Sequence, residues 1–300
     1  MVKKRRKYKL KEPWATELNE IVRGVSGGFL FGIPIIYTME VWAIGSQVRP
    51  SLMLILLGLT YCILFLFNSV EGFRRSKGQT VTDFALESIE ALAIGLVCVT
   101  LILILLQRIT LQTSLSEALG KIIFESVPFA LGVSLARLLL STEDSEGKPK
   151  SKSKKNTDKF LSKKHKFLKN DTIADASATF LGATIIAFSI APTEEVMLLA
   201  VTASPPWLIG IIFASLLISY SIVFGAGFAK EKKRRSQRGL FQSAESETVF
   251  SYLISLAASV LMLCFFQQLS FSDPWFLWLR TTILLGLPAT IGGAAGRLGV

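Results

Sequence analysis

The chain has 300 residues, is 51% hydrophobic and carries a formal net charge of +11, from 33 Lys and Arg against 22 Asp and Glu. Its charges form islands between apolar stretches of about 20 residues, the length that crosses a bilayer's hydrocarbon core. That pattern excludes a soluble domain and predicts a polytopic membrane protein. The basic excess does not point to nucleic acid either, because the Lys and Arg residues flank apolar spans, as in the cytoplasmic loops of membrane proteins.

In chain order, residues 1–23 read as a basic cytoplasmic tail. The run Lys3 to Lys7 is not the start of a signal peptide: no apolar segment follows until about Val25, and no small-residue cleavage site closes it. Eight all-α transmembrane helices are then predicted, at 24–46, 51–73, 83–107, 117–140, 173–199, 206–229, 247–268 and 276–298. Pro50, Pro205 and Pro274 stand at or near helix starts, where a missing N–H costs nothing. With the N-terminus inside, every Lys and Arg except Arg49, Arg108, Lys121 and Arg280 falls on the inner side. This bias predicts both termini in the cytoplasm. Cys62, Cys98 and Cys264 lie in separate spans and suggest neither a disulfide framework nor a CxxC site. The one histidine, His165, lies in a Lys-rich segment, so haem and zinc chemistry are not expected, and neither is any other cofactor.

The two halves match each other. At one constant spacing Gly27 pairs with Gly182, Ile35 with Ile190, Thr38 with Thr193, Glu40 with Glu195, and Pro50 with Pro205. Further along, Thr82, Phe84, Ala91 and Cys98 pair with Thr248, Phe250, Ala257 and Cys264. Pro128, Gly132 and Arg137 pair with Pro288, Gly292 and Arg297. The spacing changes only in loops. The expected organisation is therefore a four-helix repeat at 24–140, a Lys-rich cytoplasmic linker at 141–171 and a second four-helix repeat at 172–300. A unit of four helices re-enters from the same side, so the repeats are parallel and related by a pseudo-two-fold along the membrane normal.

The stretches "GGFLFGIPIIYTMEVWAIG", "APTEEV" and "GLPATIGGAAGRL" resemble a family of bacterial integral membrane proteins labelled only as a domain of unknown function. The similarity runs from about Ile21 to Leu298 and leaves out the linker. It brings no activity with it, so function is argued from the residues.

Glu40 lies about 24 Å along its helix from Gly24 at ~1.5 Å per residue, and Glu195 occupies the same level in the second half. A carboxylate this deep costs on the order of 3 kcal/mol and normally faces the bundle interior or water. Glu194 points about 100° away from its neighbour. One reading is a paired acidic site for a cation or proton, formed by Glu40, Glu195 and Glu194 with Thr38 and Thr193. Pro34 and Pro192 weaken the helices just before the acids, as in the broken helices of transporters. The other reading is structural: Glu40 and Glu195 pair with Lys121 and Arg280. A second acidic set, Asp83, Glu87 and Glu90, shares one helix face, and Val249, Leu253 and Leu256 stand in its place in the second half. Asp83 suits a helix start, and Glu90 is too deep for that. Glu125, two turns into the fourth helix, has Lys121 one turn earlier to satisfy it.

Gly24, Gly28 and Gly32, and again Gly292 and Gly296, recur every fourth residue and predict close helix contacts. Arg137 and Arg297 at inner helix ends are expected to snorkel. The linker carries ten lysines. Its segment 148–169 either lies on an anionic inner leaflet through Phe160-Leu161 and Phe167-Leu168, or is a solvated tether. An enzyme is not expected: "EE" at 194–195 resembles the EExxxR element of intramembrane proteases, but Leu199 stands where that element has Arg. The sequence thus points to passage of an ion or small solute by a transporter or channel. The alternative is a non-transporting structural or accessory membrane protein with salt-bridged acids.

Overall fold

The computed structural model describes residues 13–75, 80–146, 164–225 and 243–298. Its elements are α1 (Pro13–Ile36), α2 (Met39–Gln47), α3 (Pro50–Arg75), α4 (Val81–Leu105), α5 (Leu115–Glu146), α6 (Lys164–Ile190), α7 (Glu195–Thr202), α8 (Pro205–Tyr220), a π-turn (Ser221–Gly225), α9 (Ala244–Phe265) and α10 (Trp275–Leu298). No strand occurs among the described residues. Among the described residues seven helices are long and apolar enough to cross a membrane, and the count is eight if α1 and α2, bent by 90° at their break, form one span.

Two of the expected helices are each two helices. The span read as 24–46 breaks at Tyr37 and Thr38, and the one read as 173–199 breaks over 191–194. Apolar residues resume directly after both breaks, so each pair of helices reads as one long span. Proline gives the physical cause, because Pro34 and Pro192 withdraw the N–H that the carbonyl one turn back would accept. The span read as 206–229 also changes, ending its α-helix at Tyr220 and continuing as a π-turn. The boundaries of the tail and linker shift too. α1 starts at Pro13, α5 runs to Glu146 and α6 starts at Lys164. The greater part of the 148–169 segment lies outside the described residues.

Local chemistry sets the other ends. The Thr80 N–H and hydroxyl both donate to Asp83 at the start of α4 (2.7 and 2.8 Å), and Ser243 accepts from the Ser246 N–H at the start of α9 (3.2 Å). α4 and α9 close alike. Gln107 (φ 56°) and Gln267 (φ 60°) take the left-handed conformation. The following N–H groups, of Arg108 and Gln268, then bond the Leu103 and Leu263 carbonyls at 2.8 and 2.9 Å, a Schellman closure. The next turns also agree: the Thr110 N–H bonds Thr113 Oγ1 at 2.9 Å and the Ser270 N–H bonds Asp273 at 2.7 Å. Inside the spans, hydroxyls such as Thr60, Ser88, Ser215, Ser255 and Thr290 donate to the carbonyl one turn back. Each of these hydroxyls is thereby satisfied within its own helix.

In the first half α5 is the central helix, packed on α1, α2, α3 and α4; in the second, α10 packs on α6, α7, α8 and α9. Small residues make the tightest approaches. A methyl on Gly27 would overlap the Gly132 carbonyl, and one on Gly182 would overlap the Gly292 carbonyl. Gly28 and Gly32 meet Phe129, and Gly296 meets the Ala178 carbonyl, so the glycine repeats serve the backbone contacts expected of them. Between the halves, α1 packs on the π-turn and α10, and α4 touches α8. Among the described residues α6 makes no comparable contact with α3 or α5.

One expected snorkelling residue is instead buried. Arg297 is 1% exposed, ion-paired with Glu247, bonded to Ser251 (2.9 Å) and set over the Phe224 ring of the π-turn. A guanidinium inside the bundle needs such partners, and α9 supplies them. The Arg137 side chain lies outside the described residues.

Candidate functional site

Besides the π-turn, the described spans are irregular at the two helix breaks, and one hydrogen bond joins these. At the first, the Thr38 N–H bonds the Ile35 carbonyl at 2.9 Å, and Trp42 reaches back so that its Nε1 donates to the Ile36 carbonyl, also at 2.9 Å. At the second, both the N–H and the hydroxyl of Thr193 donate to the Ile190 carbonyl, at 3.0 and 2.7 Å. Gln268 donates to the Pro192 carbonyl at 3.4 Å. Each break thus satisfies its end carbonyls with a nearby side chain or turn N–H.

Glu195 joins the two. It is the first residue of α7, only 9% exposed, and its Oε1 accepts a long 3.4 Å bond from the Met39 N–H, the first amide of α2. The N-terminal end of α2 therefore faces a carboxyl oxygen from the other half, the favourable sense for the helix dipole. Glu195 Oε2 is buried and has no partner. Glu194 is the N-cap residue of α7 and is exposed, so adjacent carboxylates look into different surroundings. Glu40, in the first turn of α2, is exposed as well. Thr38 is half-buried at the N-cap of α2, and its hydroxyl does not cap that helix.

The expected salt bridges to Glu40 and Glu195 do not form. Lys121 pairs with Glu117 one turn earlier on α5 (2.5 Å) and donates to the Arg108 carbonyl (3.1 Å). Arg280 donates to the Ala200 carbonyl (3.3 Å) and lies over Phe276. For Lys121 the partner is the i, i+4 acid on its own helix, whereas Arg280 is held by a carbonyl of α7. Lys121 does not satisfy Glu125 either. Glu125 is fully buried, and neither of its oxygens has a partner. The second acidic set stays at the start of α4: Asp83 and Glu90 are exposed and Glu87 is half-buried.

The family described as "Putative integral membrane protein (DUF2391)" matches residues 20–300. The chain belongs to that family. No curated protein and no solved structure matches it. Both breaks, Glu195 and Glu125 lie within the family's matched range.

Several residues around the breaks escaped the sequence reading. Tyr37 is buried and its hydroxyl donates to the Leu284 carbonyl on α10 at 2.6 Å. That carbonyl is free because Pro288, one turn later, has no N–H to give it. Pro288 in the sequence reveals the free acceptor, whereas its donor comes from the other half and only the fold supplies it. Arg108 lies over the Trp42 ring at 5.0 Å and donates to Thr202 at 3.1 Å. Gln107, with its amide turned to suit both neighbours, donates to the Thr202 carbonyl and accepts from Trp207 Nε1 at 2.7 Å. These contacts tie the end of α4 to α7 and α8.

Proposed function

We propose that this integral membrane protein passes a proton or a small cation, using the meeting point of the two helix breaks as its binding site. The observation behind this reading is Glu195, a carboxyl inside the bundle that faces the start of α2, keeps one oxygen without a partner and, among the described residues, has no basic side chain to neutralise it. Intramembrane acids of this kind are functional by default. Glu40 at the first break and Glu194 at the second, both exposed, are the groups that would receive or release the ion. Thr38 and Thr193 shape the turns that hold the acids. The rival reading, a scaffold with salt-bridged acids, needs Lys121 and Arg280 at those acids, and both are bonded elsewhere.

Flux into liposomes holding the purified protein tests the proposal. Wild type should carry H⁺, Na⁺ or K⁺ faster than empty liposomes, and Glu195→Gln should fall to the empty-liposome rate. Wild-type flux at background for all three ions would overturn it.

We also propose that the chain is a duplicated four-helix unit. Supporting this are the paired glycine contacts Gly27–Gly132 and Gly182–Gly292, the matching Gln107 and Gln267 closures and the same packing around α5 and α10. A two-fold axis would also bring α6 onto α3 and α5, as α1 meets α8's π-turn and α10. The described residues lack that second contact, so the likeness is one of packing within each half. Orientation follows from the basic loops, with both termini in the cytoplasm of a bacterial cell and the protein in its inner membrane. Cysteines placed at Gln47 or Ser272 should react with an impermeant thiol reagent from outside, and ones at Ser76 or Ser236 should not. The reverse pattern would invert the topology.

A further inference from the structure

Glu125 is the most deeply buried acid described: no part of it reaches the surface and neither carboxyl oxygen has a hydrogen-bond partner. Its place on α5 follows from its neighbours. One turn before it, Lys121 lies against Gly45 of α2, and one turn after it, Phe129 lies against Gly32 of α1. The stripe that carries Glu125 therefore runs past the point where α1 gives way to α2. Glu125 thus lies on α5 between the level of Gly45 on α2 and that of Gly32 on α1, the two sides of the break.

Packing does not require an acid there. Leu285 sits one turn before Pro288 on α10, as Glu125 sits one turn before Pro128 on α5, and Leu285 is also fully buried. Leucine thus fills the matching place in the other half. Nor do the surroundings favour a negative charge. On α5 itself the nearest cation, Lys121, is occupied by Glu117 and the Arg108 carbonyl. On α4, no charged residue stands between Glu90 and Arg108, and Cys98 is the titratable group of that stretch. On α3, Pro50 to Ser69 holds Tyr61 and Cys62 and no charge. On α1, Tyr37 gives its hydroxyl to Leu284, and on α2, Glu40 is exposed. An ionised carboxylate with no partner in such a medium is prohibitively costly, and the group takes up a proton instead.

We propose that Glu125 is a proton-binding site, a neutral carboxylic acid held at the level of the α1–α2 break. It does not depend on the ion path assigned to Glu195, and it has its own readout. A hydrophobic carbodiimide reacts with a protonated carboxyl in an apolar setting. The acid's proton moves to a carbodiimide nitrogen, the carboxylate oxygen adds to the central carbon, and the acyl group then shifts to nitrogen. Nothing leaves, so the adduct carries the reagent's full mass.

The experiment treats the full-length protein in liposomes with dicyclohexylcarbodiimide at neutral pH and maps the adduct by peptide mass spectrometry. The expected result is an adduct at Glu125 that a water-soluble carbodiimide does not give, that fades as the pH is raised, and that Na⁺ or K⁺ does not suppress. Glu125→Gln should fold and lose the adduct from that peptide. Because the wild-type mapping stands alone, a variant that failed to fold would not spare the proposal. Two results overturn it: Glu125 unmodified in the bilayer while the unfolded chain is labelled there, or an adduct suppressed by Na⁺ or K⁺, which would make the occupant a metal cation.

Discussion

The two halves build the same framework and load it differently. α1 crosses α5 through Gly27 and Gly132, and α6 crosses α10 through Gly182 and Gly292. Each half breaks its first span near a proline and closes its third with a left-handed glutamine. Yet the first break leaves Glu40 exposed while the second buries Glu195. α5 carries a buried Glu125 where α10 carries Leu285, and α10 ends on a buried Arg297 paired with Glu247, where α4 has Val81 in place of that acid. Helix contacts are set by backbone approach and tolerate only small residues, so both halves meet the same demand. Charges answer to whatever surrounds them, and the one-sided junction gives each half different surroundings.

The largest effects should come from the shared framework. Gly27→Leu and Gly182→Leu each push a side chain into a facing backbone carbonyl, and each should cost about 3 kcal/mol, seen as loss of a monodisperse peak or a steep fall in melting temperature in detergent. Damage from only one of them would break the equivalence of the halves. Next come the acids. Glu195→Gln should reduce ion flux to that of empty liposomes, and Glu40→Gln should retain most of it. Equal loss from both would mean that burial does not separate their roles.

The junction sets a smaller scale. Tyr37→Phe leaves the Leu284 carbonyl, already without an N–H, with no donor, and should lower stability by about 1–3 kcal/mol. A melting temperature equal to wild type would show another donor taking over. The smallest effect is expected at the paired closures. Gln267→Gly relieves a left-handed side chain and should gain less than about 1 kcal/mol. Gln107→Gly also loses the bonds to Thr202 and Trp207, and should be destabilising by about 1 kcal/mol. The same sign at both would count against the proposed bond across the halves.

Span number and the glycine contacts were legible in the sequence because both are local. A run of apolar residues has nowhere to go but lipid or protein, and a small residue every fourth position marks a face where backbones touch. The paired acids and the prolines before them were legible as well. A weakening before the acids was legible too, but not that each span divides into two helices, because a proline in a membrane helix does not fix where or how far the chain bends. The partners of the charges were decided by the tertiary structure alone. Lys121 and Arg280 start their helices near the acids, but Glu117 and the Arg108 carbonyl on one side, and the Ala200 carbonyl on the other, were closer at hand. Sequence thus determined which residues are costly to bury, since that cost belongs to the residue type. Only the fold decided which of them found partners, because a hydrogen bond between residues as distant as Met39 and Glu195, or Tyr37 and Leu284, exists only once the halves have packed.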